Sequence, residues 1–130
     1  MVLTLVAITD LLKLLANKYV LLDFWGTWCG PCLELTEDLR EINGNYGEKG
    51  LKLIGVAFDD NLLEPAKYIK QKNILWPNVF DDRDSAYLVK KFTVSAFPTF
   101  ILTDKKGKII IRGTGFQALD SVKQYLNKNL

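Results

Sequence analysis

The stretch from Tyr19 to Cys32, Tyr-Val-Leu-Leu-Asp-Phe-Trp-Gly-Thr-Trp-Cys-Gly-Pro-Cys, decides how this chain is read. Its first seven residues are almost continuously apolar, the mark of a central strand covered on both faces. Four positions after the strand comes Cys29, and after two intervening residues its partner Cys32. Pro31 suits the first turn of a helix, where its missing N–H costs nothing. A helix start carries partial positive charge and free N–H groups, which stabilise a thiolate at Cys29. The thiolate is the nucleophilic form. Cys29 is expected on the exposed end, and Cys32, one turn in, is expected to be more buried and able to attack a mixed disulfide from behind. A purely structural disulfide closing so short a loop would stabilise little. Two unrelated thiols are not expected at a strand-to-helix junction.

The rest of the composition narrows the chemistry. The chain has 130 residues, two cysteines and no histidine. It therefore has no Ser-His-Asp triad, no Cys-His nucleophile, no His-ligated metal and no four-ligand zinc site within one chain. A c-type haem site needs a histidine after the second cysteine, where Leu33 stands. We expect no metal and no cofactor. Lys+Arg 17 against Asp+Glu 15 is too balanced to point to nucleic acid or a charged membrane surface. Lys105, Lys106 and Lys108 surround one turn and read as a solvated hairpin tip. No stretch approaches the roughly 20 apolar residues of a membrane span. Met1–Thr9 lacks the basic region and small-residue cleavage site of a signal peptide.

Outward from the dithiol, Leu51–Phe58 reads as a second central strand, and Thr99–Thr103 with Ile109–Arg112 as a hairpin around Asp104–Gly107. Leu3–Ile8 is a candidate first strand, with Thr9 or Asp10 capping a short helix to Ala16. Leu35, Leu39, Ile42 and Tyr46 fall at helical spacing, with Asn43-Gly44 as a stop. Pro65 opens a helix to about Lys72, and Asp84 or Ser85 starts one to about Lys91. Ala118–Asn127 forms a terminal helix. The alternation predicts one α/β domain over residues 1–130, with a mixed sheet flanked by helices.

Three further features bear on chemistry. Asp23 lies inside the apolar strand, where an ionised carboxylate is costly to bury, so it should be protonated or paired with a raised pKa. Its functional reading is to accept the Cys32 proton through water; the alternative is an acid that reaches solvent or a lysine. In Phe97-Pro98-Thr99 the proline opens a strand and is either a deliberate cis bond or an ordinary trans one. The functional reading places Pro98 against the cysteines and leaves the Phe97 backbone free to pair with an extended substrate. Trp28 borders the nucleophile and either docks substrate or only packs; Trp25 reads more as packing. Gly30 and Pro31, between the cysteines, complete the expected contact surface.

With these residues assembled, the chain resembles the thioredoxin superfamily, and within it the TlpA/ResA-like thioredoxins, from about Lys18 to the C-terminus. The resemblance rests on Lys18–Trp25, Trp28-Cys-Gly-Pro-Cys32, Leu53–Asp59 and Phe97–Ile109. It implies a thioredoxin fold with an extra helix–strand insertion at about 61–82, before the proline strand. The insertion holds a helix near Pro65–Lys72 and a short strand near Asn78–Phe80. It also implies a cis Pro98, with Cys29 as the attacking and Cys32 as the resolving cysteine. The implied activity is thiol–disulfide exchange on disulfide-containing or dithiol protein substrates, with an upstream electron donor. A monomer in the cell envelope or periplasm is expected, with the cytoplasm as the alternative. The short N-terminal part reads as an excised domain of an exported protein. Many relatives place a Glu and then a Pro beyond the second cysteine; Glu34 is followed by Leu35 and Thr36, so Glu34 receives no catalytic role. Asp23 matches the buried acid of thioredoxin proper. Two other functions stay open: a thiol peroxidase, although the usual proline and threonine ahead of the cysteine are not in place, and a non-catalytic docking module using the Trp28–Phe97 surface.

Overall fold

The apolar runs of the sequence become the middle of a five-stranded sheet in the computed structural model, which describes residues 15–130. Strand β1, Tyr19–Trp25, lies at its centre. It pairs in parallel with β2, Leu51–Asp59, and antiparallel with β4, Thr99–Thr103. Strand β3, Asn78–Asp82, extends the sheet beyond β2, and β5, Ile109–Thr114, beyond β4. The order is β3-β2-β1-β4-β5, a mixed sheet as expected.

Side chains alternate across β1 with the period of two that a pleated strand imposes. Val20, Leu22 and Phe24 join Ile54, Val56, Val79, Val89 and Ile101 on one face. Leu21 and Trp25 join Leu39, Ile42, Phe100 and Leu119 on the other, which also holds both cysteines. Asp23, between Leu21 and Trp25, falls on that cysteine-bearing face.

The helices depart from the sequence reading in instructive ways. The helix after the dithiol is broken at Leu35 into α1, Gly30–Glu34, and α2, Thr36–Tyr46. Leu35, Leu39 and Ile42 are buried as the spacing required. The stop expected at Asn43-Gly44 is corrected: α2 runs through it and passes into a 3₁₀ turn, Gly47–Lys49. A mid-helix glycine costs only about 1 kcal/mol, and packing of Ile42 and Tyr46 carries the helix past it. The chain reverses instead at Gly50, whose φ of 101° suits a residue without Cβ.

Helix α3, Leu63–Gln71, holds Pro65 in its first turn, and the Asn61 side chain accepts from the N–H groups of Leu63 and Glu64. Helix α4, Tyr87–Lys91, starts later than Asp84 or Ser85. Its N-cap residue is Ala86, and the carboxylate of Asp81 accepts from the first-turn N–H groups of Leu88 and Val89. Helix α5, Gly115–Asn129, begins three residues earlier than expected because Gly115, at φ 70°, turns the chain directly out of β5. The segment at 61–82 therefore carries α3 and β3. The strand expected at Leu3–Ile8 and the helix start at Thr9 or Asp10 lie outside the described residues. Among the described residues, no helix is long and apolar enough to cross a membrane.

Candidate active site

The dithiol is positioned by a short loop fastened to the end of β2. Gly26 follows β1, and a Cβ there would run into the Trp28 indole and the Phe58 carbonyl. Thr27 donates from its backbone N–H and its hydroxyl to the two carboxylate oxygens of Asp59, both at 2.9 Å. Trp28 Nε1 donates to the Phe58 carbonyl at 2.8 Å. Because β1 and β2 are parallel, both strands deliver their C-terminal ends to this edge, where the loop and its anchor meet.

Cys29 is the N-cap of α1, and Cys32 N–H donates to its Sγ at 3.2 Å. The two cysteines are joined in a disulfide with Cα atoms 5.3 Å apart. The expectation that Cys29 is the more exposed of the pair is corrected: both are 5% exposed. Gly30 and Pro31, between them, are exposed.

Asp23 is buried and, among the described residues, its side chain makes no direct hydrogen bond. Burial alone pushes its carboxyl up to about 8. It shares a small cavity of about 10 Å³ with Cys32, Thr36, Tyr68 and Asn78. That is close to the smallest space that holds one water. Asp23 and Cys32 thus line one small cavity, and no lysine lines it.

Trp28, the residue before Cys29, belongs to an aromatic cluster. Trp28 is 44% exposed. Its ring stands edge-on to Phe97 at 5.0 Å between centroids, and Phe97 stacks on Phe58 at 5.3 Å. The Arg83 guanidinium lies 4.7 Å over Trp28 and 5.5 Å over Phe58. The Phe97–Pro98 peptide is cis, and Pro98 is buried. The Pro98 carbonyl accepts from Gly115 N–H at 2.9 Å, whereas the Phe97 backbone has no hydrogen-bond partner among the described residues. Trp25 packs as expected: it is buried, and its Nε1 donates to Asn78 Oδ1 at 2.8 Å.

Sequence reasoning passed over Asp59, Phe58, Arg83, Thr36, Tyr68 and Asn78. The one signal for Asp59 was an acid closing an apolar run, a position equally natural for a solvated strand end. The others come from the insertion, from α2 or from the β2 edge, and their roles depend on which strand lies beside which. Among the described residues, no group of acids and cysteines is arranged to hold a metal.

A thioredoxin-like family model matches residues 17–109. The thiol-disulfide oxidoreductase ResA of Bacillus cereus is 32% identical over 117 residues, which are 90% of this chain and 66% of that protein. ResA of Geobacillus thermodenitrificans is 31% identical over 110 residues, 85% of this chain and 62% of that protein. The chain thus spans just under two thirds of the length of these relatives. Among solved structures, one from Chlorobium tepidum, provisionally assigned as a thiol:disulfide interchange protein DsbE, superposes with a TM-score of 0.81 at 25% identity, covering 90% of this chain and 83% of its own. The thioredoxin domain of a thiol-disulfide oxidoreductase from Bacteroides vulgatus gives 0.77 at 28% identity, covering 89% and 84%. Fold, dithiol and relatives agree, and the chain belongs to the thioredoxin-like family.

Proposed function

We propose that this chain is a thiol–disulfide oxidoreductase that reduces protein disulfides through the Cys29–Cys32 dithiol. The observation that carries this reading is the bridged pair at the head of α1, with a buried, unpaired acid lining the same cavity as the second cysteine. In the reduced form, the Cys32 N–H and the head of α1 stabilise a Cys29 thiolate. The thiolate attacks a substrate disulfide and forms a mixed disulfide, and one substrate sulfur leaves as a thiolate. Cys32 gives its proton to Asp23 and attacks the Cys29 sulfur, which releases the second substrate thiol and restores the bridge. Two electrons pass to the substrate, and an upstream dithiol donor returns them.

The platform formed by Trp28, Gly30, Pro31, Phe97 and Pro98 supplies the docking surface. An extended substrate segment pairs with the free Phe97 backbone, the strand-addition mode of recognition. By the resemblance to ResA-like thioredoxins, the site of action is the cell envelope.

The test is a redox titration combined with trapping. Cys32→Ser should accumulate a covalent mixed disulfide with a disulfide-bonded protein such as insulin, visible on a non-reducing gel, and Cys29→Ser should form none. A reductant should titrate near or below about −250 mV, whereas a value near about −120 mV would mark an oxidant. Absence of any Cys32→Ser adduct would overturn the reading.

A further inference from the structure

Asp23 is 5% exposed, and the cycle proposed above requires its carboxyl to take a proton from Cys32 and lose it again. The polar side chains lining its cavity are Cys32, Thr36, Tyr68, Asn78 and the indoles of Trp25 and Trp76, whose N–H groups can donate but not relay a proton. No other titratable or charged side chain lines the cavity. The Asn78 carbonyl is committed to Trp25 Nε1, and its amide N–H donates to the Trp76 carbonyl at 3.4 Å. The two hydroxyls remain, and they are bonded to each other: Thr36 Oγ1 and Tyr68 Oη lie 2.7 Å apart, and either can donate. Asp23, Cys32, Thr36 and Asn78 are buried, whereas Tyr68, from the insertion helix α3, is half-buried and reaches the surface.

We propose that Thr36 and Tyr68 form a hydroxyl relay that carries protons between the buried Asp23 and solvent, so that the insertion supplies the proton exit of the site. The inference rests on the dithiol reading above. As Cys32 resolves the mixed disulfide, its S–H proton passes to Asp23 in the fraction of molecules whose carboxyl is ionised, a fraction that grows toward pH 8. The Cys32–Cys29 bond forms, and the bond from Cys29 to the departing sulfur breaks, with the electron pair leaving on that sulfur. Asp23 then passes its proton across the one-water gap to Thr36. Thr36 releases its own proton to Tyr68, and Tyr68 releases one to bulk water. Each hydroxyl ends as it began. The hydrogen-bonded pair, from which Tyr68 Oη also donates to the Leu33 carbonyl at 3.5 Å, and the lack of a charged alternative in the cavity make this the polar route out. Thr36 and Tyr68 act through Asp23 and are positioning residues for proton movement; neither touches substrate.

Stopped-flow reaction of the reduced protein with the chromogenic disulfide 5,5′-dithiobis(2-nitrobenzoate) separates the steps. A first thiolate is released when Cys29 attacks and a second when Cys32 resolves. Tyr68→Phe and Thr36→Val should each slow the second phase about tenfold near neutral pH, part of the roughly 10²–10⁴ that general acid–base catalysis contributes. The first phase should be unchanged. The deficit should shrink at high pH, where hydroxide takes the proton directly, and the solvent deuterium effect on the second phase should change in both variants. The double variant should be no slower than either single one, and Thr36→Ser should restore the wild-type rate. A second phase within twofold of wild type at every pH in both variants would overturn the relay. If Tyr68→Phe fails to fold, the Thr36→Val and Thr36→Ser pair decides alone. A wild-type protein lacking a second phase would instead overturn the dithiol reading.

Discussion

Asp23 is the residue whose energetics depend most on pH. Its carboxyl is raised from 3.8 to about 8 by burial, so the folded state holds a proton that the unfolded chain releases at a much lower pH. The folded form therefore binds more protons between about pH 4 and pH 8, and stability falls as pH rises through that window. Below it, the neutral acid is tolerated; above it, the folded state must accommodate an unpaired buried charge. Asp23→Asn removes the titration. Thermal melts of the oxidised variant should match wild type near pH 4, exceed it increasingly toward pH 8 and hold a constant lead beyond. Melting curves that stay parallel across this range would show that Asp23 titrates normally. Its abnormal character was legible because an acid inside an apolar strand has few ways to be satisfied. Its neighbours were not, since Thr36 and Tyr68 are 32 positions apart and meet only once α3 has packed.

At the scale of elements, the active-site loop is held less by its own conformation than by the end of the adjacent strand. Asp59 closes β2 and accepts both donors of Thr27. Bonds to an ionised acceptor contribute about 1.5–3 kcal/mol each. Asp59→Ala should lower unfolding stability by about 2–4 kcal/mol in urea melts and slow the first thiol-release phase, because Cys29 loses its fixed approach. Unchanged kinetics with lowered stability would limit Asp59 to holding the fold. The strands themselves were readable, since β1 and β2 are apolar runs and β4–β5 flank an evident turn. Helix boundaries were less so. The stop at Asn43-Gly44 failed because packing outweighs the cost of one glycine, and the first-turn N–H groups of α4 took their acceptor from Asp81, a residue of the preceding strand. Acceptors borrowed across elements leave no local trace.

For the molecule as a whole, strands β1, β2 and β4 serve both apolar clusters, one on each face of the sheet. Neither face can loosen without disturbing strands that the other needs, which is the basis of all-or-none unfolding. Phe100, fully buried on the cysteine-bearing face, should cost about 3–5 kcal/mol when cut to alanine. Tryptophan fluorescence and far-ultraviolet dichroism should still trace one shared transition in that variant. Separate transitions would divide the molecule into two folding units. The mixed sheet and its insertion followed from strand–helix alternation and the resemblance, whereas the meeting of distant loops did not. Trp28, Phe58, Arg83 and Phe97 arrive from four separate places along the chain to form one cluster. Transplanting the pentapeptide Trp28–Cys32 into another scaffold would carry the two sulfurs and Trp28 but leave behind Phe58, Arg83 and Phe97, so the dithiol and the aromatic cluster are free to diverge in evolution or by engineering.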